Sequence, residues 1–500
     1  MGKQSYILAF DQGTTSCRSL IFDRKFNLCG ISQAEISQHY PHDGWVEQDA
    51  EEIYQTQVKT AHDVLQQTGV KPSQVAGIGI TNQRESFVVW DKHTGKPVHP
   101  CIVWQDRRTA AKCDAMAKQD ISRIIHRKTG LLSDPYFSGT KLQWLLENIS
   151  GAREKAEKGD CLFGTIDSWL IWKLSGGKSH ITDVSNASRT LLFNIHNLDW
   201  DNELLEYFDV PRAILPRVVD SSGMLANTQG SVFGDVDIPV TGIAGDQQAA
   251  LFGQACHNPG MVKNTLGTGA FVLMNVGNTA PVMQDDGLLR TVAWRINGEV
   301  TYALEGSIFF AGATIKWLRD KLQIIQNTGE SETLARSVPD TAGVYFVPAF
   351  AGLGTPYWDP DARGTIIGLT QAAGKAHVVR AGLESLAYQT RDVLDLMQET
   401  SSLKVKDLRI DGGASENGFL LQFLADITGY TVVKPEITET TALGAAFLAA
   451  LGCNTANMDD INRQWSAKAV YEPGISGQNR KKFYSQWKRA VERSRDWYSG

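Results

Sequence analysis

The 500-residue chain has room for roughly two to four domains, and its 42% hydrophobic content permits large packed cores. A formal net charge of −6 argues against a general nucleic-acid binder or an anionic-membrane binder. Seven scattered cysteines show no metal-type pairing and suit reduced thiols in the cytoplasm.

No run of about 18 apolar residues is present, so no membrane insertion is expected. The N-terminus shows no secretory pattern. It begins Met1-Gly2, but Tyr6 stands where a myristoylation signal has Ser or Thr. The first apolar run, residues 7–10, reads as a buried strand. It leads into Asp11-Gln12-Gly13-Thr14-Thr15-Ser16, and a second run follows Arg18, so a β-hairpin is predicted. Gly13 permits a tight turn. Successive N–H groups and the hydroxyls of Thr14, Thr15 and Ser16 suit phosphate oxygens. Arg18 can add a charge-assisted contact, and Asp11 is placed to hold a hard cation beside those phosphates. An ordinary Gly-Thr turn with a surface Asp fits the same residues.

Residues 28–36 predict a third strand. Asp49 to Glu52 resembles a capping box, and Tyr54, Val58, Ala61 and Leu65 mark an amphipathic helix after it. Residues 75–81 read as a buried strand, and the order of elements argues for an α/β layer. That strand ends in Asn82-Gln83-Arg84-Glu85. The pair Arg84-Glu85 reads either as solvated surface or as a polar clamp, in which a guanidinium donates to, and a carboxylate accepts from, neighbouring hydroxyls of a polyol. Strands are predicted over 86–90 and 101–104. Trp104 ends the second and either walls a pocket or caps a core. Tyr136 opens an amphipathic helix that runs to Asn148. Ser175 to Ser179 resembles the end of a Walker A loop, but Trp172 stands in place of the earlier Gly and excludes it. The polar run 182–190 yields no role.

Residues 239–244 predict a strand that ends in Gly245-Asp246-Gln247-Gln248 and continues as a helix. Asp246 lies at that junction, where a helix N-terminus favours the ionised carboxylate; an N-cap is the alternative reading. Leu266-Gly267-Thr268-Gly269-Ala270-Phe271 is a second Gly-Thr turn between apolar runs. Two such turns, about half a chain apart, suggest duplicated domains facing a shared phosphate site. Asn297-Gly298 between apolar runs predicts a hairpin. Ile308, Ala311, Ile315, Leu318 and Leu322 mark a helix; residues 349–358 predict a loop and 377–397 a helix. Residues 408–417 form a third junction of strand, glycine turn and helix. Gly412 and Gly413 let a ligand approach the backbone, and Asn417 can orient a base or ribose. A small-residue helix over 442–450 and a docked C-terminal helix with a basic face complete the chain. Glycine turns at strand ends imply a nucleotide, and an acid beside a polyol clamp implies an activated hydroxyl; together they point to phosphoryl transfer to a small polyol.

On residues 11–18, 82–85, 104–109, 245–248, 267–269 and 411–417 the chain resembles the FGGY carbohydrate kinases, nearly end to end. Residues 136–148 are similar to the family's first signature, and residues 364–384 to its second. The resemblance implies an α/β fold of two actin-like ATPase (ribonuclease-H-like) domains with a cleft between them. Residues 1–253 would carry the clamp, the first phosphate turn and the catalytic Asp, and residues 254–500 the nucleotide site. It implies phosphorylation of glycerol, rather than a pentose or gluconate, to sn-glycerol 3-phosphate, with ATP and Mg2+ in the cleft, feeding glycerol catabolism. Asp246 becomes the general base by that match. Arg84, Glu85, Tyr136, Asp246 and Gln247 would hold the hydroxyls, with Trp104 and Phe271 flanking the carbon chain. Thr14, Thr15, Ser16, Arg18 and Thr268 would line the phosphates, with Asp11 near the magnesium. Gly312, Lys316, Gly413 and Asn417 fall at nucleoside-side positions, although Lys316 stands where many glycerol-specific members carry Gln. A cytoplasmic homo-oligomer, dimer or tetramer, is expected, without nucleic acid. In members controlled by a sugar bisphosphate a Gly-Arg loop lies near residues 228–238; that segment here has no Arg, which weakens the expectation of such control.

Overall fold

The computed structural model describes residues 5–284 and 286–498; the Met1-Gly2 start lies outside them. A continuous 13-stranded sheet is built by using one five-strand unit twice. In the first half β1 (Tyr6–Gln12), β2 (Ser16–Phe22) and β3 (Leu28–Glu35) form an antiparallel meander. Beyond β1, β4 (Val75–Asn82) and then β5 (Pro239–Gly245) add in parallel. In the second half β6 (Val262–Leu266), β7 (Ala270–Gly277) and, after the hairpin strand β8 (Leu289–Ile296), β9 (Glu299–Ile308) repeat the meander. The parallel pair is repeated by β10 (Leu408–Asp411) and β11 (Val432–Pro435). The orders β3-β2-β1-β4-β5 and β9-β7-β6-β10-β11 are the same topology, and the strand Ser222–Asn227 joins β8 to β5 across the middle. The two Gly-Thr turns therefore sit at equivalent places, between the first and second strands of each unit.

Local chemistry explains the layering. In β4 the residues alternate, so Ile78 and Ile80 enter the core beneath the helix Ala50–Thr68. Gly77 and Gly79 face the other way, where α2 (Thr440–Gly452) lies; α1 (Asp246–Gly253) follows β5 just as α2 follows β11. A Cβ on Gly79 would run into the Ala445 carbonyl, and one on Gly444 into that of Ala249. Thr241 Oγ1 donates to Ala449 O at 2.9 Å, and Ser222 Oγ to Leu448 O at 2.7 Å. Thus α1 and α2 cross backbone against backbone, and a helix from the second half seals the strands of the first with Phe447, Leu443 and Ala446. A separate four-stranded sheet contains Phe87–Asp91 and Cys101–Ile102 and carries the approach to Trp104.

Asp49 caps the helix Ala50–Thr68, but the reciprocal half of the expected capping box is missing: Glu52 instead accepts from Ser37 N and Oγ at 3.1 and 3.0 Å. The helix expected over 308–322 is Gly312–Asp320; Ile308 ends β9, and Leu322 lies beyond the last turn. Asn297 and Gly298 both take positive φ, as a tight hairpin requires. The C-terminal helix Gly477–Glu492 docks through Trp487, whose Nε1 donates to the buried Asp392 at 2.8 Å. No helix among the described residues is long and apolar enough to cross a membrane.

Candidate active site

The first Gly-Thr turn closes with Gly13 N donating to Ser16 O at 2.9 Å. The Thr14 carbonyl is tied down by Gln38 and Gln48, and Trp104 Nε1 donates to Thr14 Oγ1 at 2.9 Å. This links the first Gly-Thr turn to the residue expected to wall a polyol site. Thr15 is exposed, and Ser16 opens β2 half-buried. Across the hairpin Asp11 faces Arg18 and pairs with it; Arg18 Nη1 also reaches Glu439 Oε2 at 2.5 Å. Burial pushes the Asp11 carboxyl up, the Arg18 charge opposes this, and the charges of Glu439 and Asp246 add to it. A carboxylate with two more negative charges nearby and one guanidinium suits an added cation. Among the described residues no cluster of three or more His, Cys, Asp or Glu side chains is set to hold a metal by itself. Asp11 would supply one hard oxygen ligand to a magnesium ion, whose remaining ligands would come from outside the side chains of this cluster.

The segment 82–85 is buried, which settles the surface reading against it. Glu85 takes φ +62°, a strained backbone for a non-glycine residue, fixed by Ser86 N on Arg84 O (2.7 Å) and Ser138 Oγ on Glu85 O (2.8 Å). Arg84 is the hub. Its Nε lies 3.1 Å from Asp246 Oδ1, and its Nη2 donates to Tyr136 Oη at 3.2 Å. Its terminal nitrogens also fork onto Glu305, at 2.5 and 3.0 Å. Arg189 donates to Glu85 at 2.6 Å and to Glu305 at 3.0 Å. Two guanidiniums and two carboxylates therefore share one dry cluster. Burial alone would raise the Glu305 carboxyl, but the Arg189 and Arg84 charges hold it down at about 2. For Glu85 burial prevails over the same two cations and its carboxyl is raised.

Trp104 and Tyr136 meet edge to face, ring centroids 5.5 Å apart. Both backbones are held by one buried ammonium, as Lys141 Nζ donates to the carbonyls of Val103, Trp104 and Tyr136 at 3.1 to 3.4 Å. Phe271 lies under Arg84, 5.9 Å from its ring centroid. Asp246 opens α1 with Gly245, not Asp246, in the cap position; its Oδ1 accepts from Gln247 N at 2.7 Å, and its side chain stays one-third exposed. Gln247 receives Lys263 Nζ on its Oε1.

The second turn is roofed by the helix Gly312–Asp320: Gly312 N donates to Gly267 O, and Ala311 and Ala313 N to Thr268 O, each at 3.0 Å. A Cβ on Gly312 would strike Gly267 O, whereas one on Gly413 would meet open space. Thr268, Gly312, Lys316, Gly413 and Asn417 line one cavity of about 490 Å³. Asn417 also caps the helix Gly418–Thr428, accepting from Leu420 N at 3.0 Å, and its Nδ2 donates to Ser331 at 3.3 Å. The expected site residues thus fall in three places: a cluster around Arg84, the first Gly-Thr turn with Asp11 and Arg18, which Trp104 ties to that cluster, and this cavity.

Residues 6–253 match the N-terminal domain of the FGGY family of carbohydrate kinases, and residues 262–453 its C-terminal domain. The chain belongs to this family. The chain is 55% identical over 493 residues to glycerol kinase 2 of Thermotoga maritima, covering 98% of this chain and 99% of that one. It is 54% identical over 495 residues to the glycerol kinase of Carboxydothermus hydrogenoformans, with 99% of each chain covered. Among solved structures, the Plasmodium falciparum glycerol kinase with ADP superimposes with a TM-score of 0.94 at 34% identity, covering 99% of each chain. The two repeated units of this FGGY kinase are the ribonuclease-H-like halves of a two-domain actin-like ATPase fold.

Five buried residues of the site were given no role in the sequence reading: Lys141, Arg189, Gln248, whose Oε1 accepts from Arg84 Nη1 at 3.3 Å, Lys263 and Glu305. Two of them carried a signal. Lys263 and Glu305 are charges set inside apolar strands, where charged side chains are rare unless partnered. The run 182–190, assigned no role, supports the junction: Asp183 accepts from Ser185 Oγ and Asn186 Nδ2, each at 2.9 Å. Ser185 Oγ in turn accepts from Gly245 N at 2.9 Å, and Asn186 accepts from Asn82 at 3.0 Å.

Proposed function

We propose that this chain transfers the γ-phosphoryl group of ATP to glycerol, forming sn-glycerol 3-phosphate and ADP and feeding glycerol catabolism. The observation that carries this reading is the clamp beside Asp246, with Arg84 Nε 3.1 Å from its carboxylate and Tyr136 and Trp104 alongside, in a chain whose relatives are named glycerol kinases. A glycerol hydroxyl has a pKa far above 7 and is a poor nucleophile until a base takes its proton. In the proposed mechanism the Asp246 carboxylate accepts that proton, the hydroxyl oxygen bonds to the γ-phosphorus, and the bond to the β–γ bridging oxygen breaks. Arg84, Glu85, Tyr136 and Gln247 orient the triol, and Trp104 and Phe271 bracket its carbons.

Thr14, Thr15, Ser16, Arg18 and Thr268 hold the phosphates, while Gly312, Lys316, Gly413 and Asn417 frame the nucleoside. For Arg18 to reach a phosphate it must share its guanidinium with, or leave, Asp11 and Glu439. A magnesium ion at Asp11 would draw charge from the phosphate oxygens. We assign residues 1–253 and 254–500 as the two domains flanking the cleft, and propose a cytoplasmic homo-oligomer as the working form, dimer or tetramer.

The test is ADP release from ATP-Mg with glycerol, a pentulose, gluconate or no acceptor. A glycerol-dependent rate with sn-glycerol 3-phosphate as product is expected. A faster rate with another acceptor would discard the substrate, and a rate indifferent to all of them would discard acceptor phosphorylation.

A further inference from the structure

Lys263 is a buried lysine without a salt bridge among the described residues. It stands on β6, one strand-face with Thr265, and its Nζ makes two hydrogen bonds: to Thr265 Oγ1 at 3.1 Å and to Gln247 Oε1. An ammonium in such a place is costly, because it has left water without gaining a carboxylate in contact. Its partner Gln247 is the second residue of α1, next to Asp246. A neutral amide can turn over with little change in shape, exchanging its donor and acceptor ends. An ammonium offers only donors, so Lys263 fixes Oε1 toward β6. Gln247 Nε2 has no protein acceptor among the described residues, although the side chain is only 8% exposed. The amide is thus presented in one orientation, with its donor free.

We infer that Lys263 is a positioning residue, which locks the Gln247 amide so that Nε2 donates to a hydroxyl oxygen of the polyol. This rests on the glycerol kinase reading and adds to it a residue in the second half of the chain that sets donor polarity in a site built mainly by the first half. The selectivity that follows is for an acceptor oxygen at that position; an acceptor whose group there offers only a donor meets a fixed donor in return.

The experiment is a double-mutant cycle on the full chain with Lys263→Met and Gln247→Ala, read as glycerol KM, ATP KM and kcat, with melting temperature as a folding control. Methionine keeps the length and removes both the buried charge and its two hydrogen bonds, and the charge faces Asp411, Asp246 and Glu305, so the melting temperature is read beside the kinetics to separate positioning from stability. Expected is a rise in glycerol KM of about tenfold, the loss of one hydrogen bond from a fixed donor, with ATP KM nearly unchanged. In the Gln247→Ala background, Lys263→Met should add nothing further to glycerol KM, because its action runs through the missing amide. Multiplying effects of the two substitutions, or equal rises in glycerol and ATP KM, would overturn the positioning role while leaving glycerol phosphorylation standing. No glycerol-dependent turnover by the unaltered chain would overturn the functional reading, and this role with it.

Discussion

Glu305→Gln tests the charge balance of the dry cluster beneath the clamp. The carboxylate accepts three guanidinium hydrogen bonds, two from Arg84 and one from Arg189, at 2.5 to 3.0 Å. Arg84 and Arg189 face the buried Glu85 and Glu305, with the part-exposed Asp246 beside Arg84 Nε, so the substitution preserves shape but takes from the two guanidiniums the buried carboxylate they share. Removing one partner of a buried pair costs about 3–5 kcal/mol. Glutamine still offers one acceptor oxygen, which places the loss near the lower figure, about 3 kcal/mol. With an unfolding entropy of about 2.1 cal/mol/K per residue, a chain of this length loses roughly 3 °C of melting temperature for that change. The freed guanidinium of Arg84 also turns away from its fork, and glycerol KM should rise about tenfold, the worth of one charge-assisted hydrogen bond. Calorimetry and steady-state kinetics read the two effects. Adding Arg189→Met removes one of those two guanidiniums and should recover part of the lost stability. Unchanged melting in Glu305→Gln, or a double variant that loses the sum of the two single effects, would refute the balance argument.

Asp246→Asn keeps the side-chain shape but cannot take a proton; kcat should fall about 10²–10⁴-fold with ADP binding retained, and turnover like that of the unaltered chain would remove Asp246 from the chemistry. Asp167 is buried against Thr165 and Thr182 at 2.5 and 2.7 Å, and burial pushes its carboxyl up to about 7. Its folded pKa is raised, so its contribution is full below the unfolded value near 4 and is lost as pH climbs through about 7. Urea melts should show the unaltered chain losing ground to Asp167→Asn across that window; parallel pH curves would contradict the assignment. Gly444→Ala would push a Cβ into the Ala249 carbonyl and wedge α1 from α2. A loss of about 1–3 kcal/mol is expected by chemical denaturation, and a variant as stable as the parent would mean the helices do not touch there.

Much of the turn and strand geometry was legible because its signals are local. A Gly-hydroxyl turn, a strand-end acid and an Asn-Gly hairpin each declare themselves within a few residues, and the likeness of residues 13–15 to 267–269 revealed the repeated unit before any topology was known. The support under the clamp was not legible. Arg84 and Glu305 are 221 positions apart, and only folding makes them partners. Arg189 lay in a polar run to which the sequence assigned no role, yet the run is buried and its polar side chains bond one another and their neighbours, Arg189 Nη1 excepted. The capping box at 49–52 failed for a related reason: the tertiary partner Ser37 captured the carboxylate that local geometry reserved for the helix start.

The crossing of α1 and α2 has a consequence for how the protein is made. The strands β1, β4 and β5 are complete once residue 253 has been synthesised, but the apolar face that α2 covers waits for residue 452. About 200 further residues must be translated first, which at about 5–20 residues per second takes roughly 10–40 s. During that interval the nascent first half displays Gly77 and Gly79 in a bare groove shaped for a helix backbone. A ribosome stalled between those two points would hold a chain whose oldest part is still unfinished, and whose open groove is a ready target for a chaperone.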